Sequence, residues 1–211
     1  QKFPYIEAME IFLSNVNPEL IGNIVHVVPD IETLGTDSNS VILSIGAVAV
    51  CNNRIVGEFY ANVKGAEDLV NLGFVADQAT IDWWNNPERE EAKKSLNEDQ
   101  RDIIDALKHY AQWLNKVNAT YSWGYGSDFD NVIIANAFKR MKVENPIRWY
   151  NHRCLRTLAS ALDVPINRDK GVHHNALADA INQGQALIKC LKHIAAFKYI
   201  EENITDPHCC R

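Results

Sequence analysis

A β-branched apolar run, Val25-His26-Val27-Val28, leads into Asp30-Ile31-Glu32. On a strand, residues two apart share a face, so Asp30 and Glu32 point the same way from the strand's end. This is the strongest constraint in the chain. The apolar run calls for burial in a sheet, while two carboxylates at its end repel each other unless cations hold them. Hard divalent ions such as Mg²⁺ or Mn²⁺ are the natural partners of such oxygen donors. The plain alternative is an ordinary Asp and Glu in the loop before Thr33-Leu34-Gly35-Thr36, since D-x-E alone is common.

The rest of the chain supplies a sheet for that strand. Val41 to Val50 is a second apolar run, and Arg54 to Val63 alternates as a third strand. Cys51-Asn52-Asn53 between them suits a tight antiparallel turn, so the domain opens as a three-stranded meander. Helical patterns follow. Thr80 is a cap for a short turn carrying Trp83 and Trp84, and Pro87 starts a charged segment from Glu88 to Leu96. Asp99 to Val117 reads as an amphipathic helix with Ile103, Ile104, Leu107, Tyr110, Ala111, Leu114 and Val117 on one side. Thr120 to Tyr125 reads as strand four, Asn131 to Met141 as a helix and Ile147 to Asn151 as strand five. Cys154 to Leu162 is a helix ended by Val164-Pro165, and Asn175 to about Glu201 is a long final one. This order predicts an α/β layer with a mixed sheet, not a doubly wound parallel one. We expect an N-terminal extension over residues 1–24, one domain over 25–202 and a tail over 203–211.

Two more sets of residues carry chemistry. Phe129-Asp130 follows strand four through Gly124-Tyr125-Gly126-Ser127, near the start of the next helix. Asp128 lies at the same junction, and either residue can be a ligand or an N-cap. His174 and Asp179 are five apart, which is about 140° around a continuous helix. They face one site only if His174 lies on the preceding loop and Asp179 lies inside the helix, and Gly171 supports a loop there. His174 then suits a general base and Asp179 a metal ligand. The alternatives are a histidine that caps the helix, and His173 in place of His174.

The net charge of −6 is unusual for a protein that grips nucleic acid. The distribution softens it: eight basic residues lie between Lys139 and Lys170, opposed by Glu144, Asp163 and Asp169. An acidic total fits a cation-binding site that grips only a short strand end. The chain has no apolar run of membrane-spanning length, and residues 1–24 lack the pattern of a secretion signal. The five cysteines are odd in number and irregularly spaced, which points to a reducing, cytoplasmic compartment.

Asp30-x-Glu32, Phe129-Asp130 and His174-x4-Asp179, in that order, resemble the DEDDh branch of the DnaQ-like 3′→5′ exonucleases. Within it the chain is most similar to a ribonuclease T-like subgroup of phage and bacterial enzymes, described as exodeoxyribonuclease VIII-like or 3′→5′ exoribonuclease-like. Asp30-Ile-Glu-Thr-Leu-Gly-Thr, Thr80-Ile-Asp-Trp-Trp, Trp123-Gly-Tyr-Gly-Ser-Asp-Phe-Asp-Asn, Arg153-Cys-Leu-Arg-Thr and His174-Asn-Ala-Leu-Ala-Asp-Ala carry the likeness over residues 25–195. The resemblance selects Asp130 over Asp128 and His174 over His173. It implies a ribonuclease H-like fold with a five-stranded mixed sheet flanked by helices. It also implies two divalent cations, Mg²⁺ or Mn²⁺, held by Asp30, Glu32, Asp130 and Asp179, with His174 as the base that takes a proton from water. Asp30 would bridge both cations, Glu32 and Asp179 would complete the site of the one carrying the water, and Asp130 would serve the leaving-group side. Pro29 departs from the pattern, because proline cannot donate to a sheet ladder and the strand is expected to be irregular there.

The expected reaction is hydrolysis of the terminal phosphodiester of DNA or RNA, mainly single-stranded, to nucleoside 5′-monophosphates. Thr33, Leu34 and Gly35 are candidates to recognise the 3′ end, through backbone N–H groups and the Leu34 side chain. Trp84 or Trp83 is a candidate to stack on a base, with core packing as the alternative. Tyr125 is a further stacking candidate, and Arg156, then Arg153, are candidates to hold phosphate. A homodimer would extend the binding surface. Two other readings are a catalytically inactive nucleic-acid-binding module of the same fold and a zinc site at His208, Cys209 and Cys210, which lacks the usual C-x2-C spacing.

Overall fold

The structure, a computed structural model, describes residues 23–166 and 174–203. His173 and the His208-Cys209-Cys210 tail lie outside them. Five strands form one mixed sheet in the order β3-β2-β1-β4-β5. They are β1 Val25–Thr33, β2 Ile42–Cys51, β3 Arg54–Asn62, β4 Ala119–Gly124 and β5 His152–Cys154. The meander β1-β2-β3 is antiparallel, and β4 and β5 add in parallel. Asn52 and Asn53 form the predicted tight turn, both with positive φ (49° and 60°), a conformation asparagine tolerates.

The helices are α1 Ala66–Asn71, α2 Gln78–Trp84, α3 Glu90–Leu96, α4 Ile103–Lys116, α5 Asp130–Arg140, α6 Leu155–Ala161 and α7 Ala176–Asn203. The sheet has a core on each face. On one face Val25, Val27, Ile31 and Ile45 pack with Ile103, Leu107 and Tyr110 of α4 and Ile133 and Phe138 of α5. On the other, Val28, Val48 and Val50 pack with Leu155 of α6 and Ala180 and Leu187 of α7. Period-two alternation along β1 therefore sends Asp30 and Glu32 to the α7 side with Val28.

β1 carries both Asp30 and Glu32, as the alternation requires, and ends at Thr33. Several elements differ from the sequence expectation. Pro29 pairs with Ala47 without a break, and the irregularity falls between Glu32 and Thr33. The ladder to β4 ends at Val27, so beyond it one side of β1 has no strand needing an N–H. The helix cap before Trp83 is Asp77, whose carboxylate accepts from the Thr80 backbone N–H at 2.8 Å and its hydroxyl at 2.6 Å. α4 starts at Ile103, not Asp99, which has φ 43°, and Ile104 is exposed. The fifth strand is His152–Cys154, and Trp149–Asn151 of the expected strand form a 3₁₀ turn.

Candidate active site

The acidic residues converge where the carboxyl ends of β1 and β4 meet the first turns of α5 and α7. Asp30 and Glu32 arrive by strand alternation. Asp130 arrives by a local lock. The Ser122 hydroxyl donates to Asn131 Oδ1 (2.6 Å), and Asn131 Nδ2 donates to the Ser122 carbonyl (3.0 Å), fixing the start of α5 to β4. Asp130, the first residue of α5, is buried and accepts the Tyr125 N–H at 3.1 Å. Asp128 is exposed. Burial thus separates two residues that spacing could not.

Asp179 depends on how closely α7 approaches the sheet. Gly46 is paired with Asp30, and a Cβ there would collide with the Ala176 and Leu177 backbone. Only glycine lets the first turn of α7 cross over β2 at this height. Asn175 caps the helix by accepting the Ala178 N–H at 3.1 Å. His174 precedes the cap with φ 65°, outside the helix. The arrangement therefore meets the condition set by the five-residue spacing. Ligand atoms of Glu32, His174 and Asp179 lie within 4.8 Å of one another.

The electrostatics fit a cation site. Asp30 is pushed well above the usual carboxylate range by desolvation, then by the negative charges of Asp130, Glu32 and Asp179; a hydrogen bond from Gln183 Nε2 at 2.6 Å opposes this. Burial, with Asp179 and Asp130 adding, raises Glu32 from 4.5 to about 8. Burial raises Asp130 to about 6 against backbone hydrogen bonds and the Arg156 charge. Clustered carboxylates that ionise reluctantly alone suit a bound cation, which would neutralise them. The donors fit a hard divalent ion.

Two cavities open on this centre. One of about 200 Å³ is lined by Asp30, Tyr125, Ile166, His174, Asp179, Asn182 and Gln183. Another of about 370 Å³ includes Glu32, Thr33, Gly35, Trp83, Trp84 and Phe129 in its lining. Leu34 faces elsewhere, into an apolar cavity behind Trp84. Its N–H is committed to the Val41 carbonyl (2.9 Å), and the Thr33 hydroxyl to the Gly35 carbonyl (2.6 Å). Trp84 is buried, with its indole N–H on the Thr33 carbonyl at 2.8 Å, while Trp83 is exposed. Arg156 lies over the Tyr125 ring at 4.6 Å and donates to the Tyr125 carbonyl at 3.0 Å. Arg153 turns away, donating to the Tyr150 and His152 carbonyls.

A family model described as the Rv2179c-like 3′-5′ exoribonuclease domain matches residues 25–191. The chain belongs to this family. The matched span contains every acidic residue of the centre and His174. Among solved structures, a product-bound exonuclease I is 14% identical with a TM-score of 0.55, covering 85% of this chain and 46% of that one. E. coli exonuclease I with a 5cy-dT13 oligonucleotide gives 14% and 0.55, covering 86% and 43%. The chain thus spans less than half of exonuclease I, and the likeness shows a shared ribonuclease H-like fold. No curated protein matches. No helix among the described residues is long and apolar enough to cross a membrane.

Sequence reading missed Gln183, Asn182, Asn131 and Gly46. A signal existed for the first two. They follow Asp179 by four and three residues, so they share its helix face, beside the buried Ala176, Ala180 and Leu187.

Proposed function

We propose that the chain is a divalent-cation-dependent 3′→5′ exonuclease, acting on single-stranded ends and releasing nucleoside 5′-monophosphates. The observation that carries this reading is the convergence of Asp30, Glu32, Asp130, Asp179 and His174 beside two open cavities. The family's description favours RNA as substrate.

Asp30, Glu32, Asp130 and Asp179 would hold two Mg²⁺ or Mn²⁺ ions. When bound, such ions polarise the scissile phosphate and make water a better nucleophile. His174, beside Glu32 and Asp179, takes the proton from the attacking water. The cavity next to Glu32 receives the terminal nucleoside, with Thr33 and Gly35 along its wall and the Trp83 ring at its rim. Trp84 is part of that wall, and Leu34 supports it from behind. Arg156 and Tyr125 flank Asp130 where the chain leaves the site, and there they meet the preceding phosphate and base.

The test is a matched panel of single- and double-stranded RNA and DNA, labelled at either end, with Mg²⁺ and with Mn²⁺. The expected products are 5′-monophosphates from the 3′ end of single strands, lost with EDTA and in Asp130→Asn. Release from the 5′ end, or internal cuts alone, would sink the reading.

A further inference from the structure

His174, which lies outside the helix α7, is contacted by residues far from it in sequence. Its ring meets the Trp83 ring edge-on, with centroids 4.7 Å apart and planes at 86°. The Arg89 guanidinium lies over the Trp83 ring at 3.7 Å. Trp83 also meets Trp84 edge-on at 5.1 Å and 89°. Trp84 is buried and tied by its indole N–H to the Thr33 carbonyl, the residue after Glu32. A continuous set of contacts therefore runs from the metal-ligand strand β1 through Trp84 and Trp83 to the imidazole. Arg89 is part of this stack and of no ion pair among the described residues, and its Nε is buried without a hydrogen-bond partner.

His174 needs such support. Its φ of 65° is a left-handed conformation that costs a non-glycine residue energy and persists only where the surroundings over-determine it. Aromatic edge-to-face contacts and a guanidinium stacked on indole are directional, so they fix a ring's orientation as well as its place.

We infer that Trp83, clamped by Arg89, is a positioning residue that orients His174 toward the carboxylate centre. This rests on His174 being the base of the proposed hydrolysis. Arg89 covers one face of Trp83, and base stacking on the other face is the alternative that the test separates.

The test uses the full chain. Trp83→Ala is expected to lower kcat about 100-fold while KM stays within about threefold of wild type. Trp83→Phe, which keeps an aromatic edge, should restore most of kcat. Arg89→Met should lower kcat less than Trp83→Ala, and Arg89→Lys should recover part of it. Thermal unfolding of each variant separates this from loss of fold. NMR of the histidine ring protons provides a readout independent of activity: the His174 signals should move when the Trp83 ring current is removed. A loss confined to KM would make Trp83 a substrate platform and overturn the inference, as would an unchanged kcat or unmoved His174 signals. If wild-type protein fails to cleave, the functional reading falls, while the NMR result still reports the contact.

Discussion

Gln183 shows how one amide tunes an acidic centre. Its Nε2 holds Asp30 Oδ1 at 2.6 Å, and its Oε1 is buried without a hydrogen-bond partner. Orienting a ligand carboxylate in this way typically matters about 10- to 100-fold, so Gln183→Ala should lower cleavage and weaken Mn²⁺ binding by that order. Oligonucleotide kinetics across a metal titration would check it. The carboxylates themselves set a pH dependence in metal-free protein. Glu32 ionises near 8 in the fold and near 4.5 when exposed. Between these values the unfolded chain has released its proton and the folded chain has not. The raised group's contribution is therefore full below 4.5 and is lost as pH rises through 8. Melting in EDTA should shift to lower temperature from pH 5 to pH 8, and added Mg²⁺ should recover the loss. A melting temperature flat with pH would contradict the buried cluster.

At the scale of elements, glycine and asparagine do most of the placing. Gly46 lets α7 cross β2 beside Asp30. Gly46→Ala should push that turn outward and cost about 1–3 kcal/mol, as overpacking does. Thermal melts should show the destabilisation, and activity should fall further because Asp179 moves with the helix. The same element logic shows where sequence patterning held and where it failed. The meander and its Asn52-Asn53 turn were legible because period-two burial and turn chemistry are local. The fifth strand was not. His152–Cys154 has three residues of intermediate burial, and its pairing with Ser122–Gly124 is a non-local choice that outweighs the apolar signal at Ile147.

The whole molecule is acidic, with a net charge of −6, yet its site is proposed to meet a polyanion. Cations at the carboxylates and a few arginines such as Arg156 would then carry nearly all phosphate attraction. Single-strand binding weakens with salt by a log–log slope of about −0.7 per neutralised phosphate. We expect a slope no steeper than about −2 in saturating Mg²⁺, corresponding to about three phosphates. Fluorescence anisotropy of labelled oligonucleotides over a salt series would measure it. A steep slope would show instead that the basic residues between Lys139 and Lys170 engage the strand as an extended track.

The sequence by itself determined the chemistry on offer. The period of a strand puts Asp30 and Glu32 on one face, and helix geometry required His174 to stand outside the helix that carries Asp179. Local rules suffice for both. Tertiary structure decided what backbone spacing cannot encode: that Asp130 is buried and Asp128 is not, that Trp84 is core while Trp83 reaches His174, and that Gln183 of α7 answers Asp30 on the sheet face the helix covers. Those outcomes depend on how closely two elements approach, and that distance is set by packing volume, here above all by the missing side chain of Gly46.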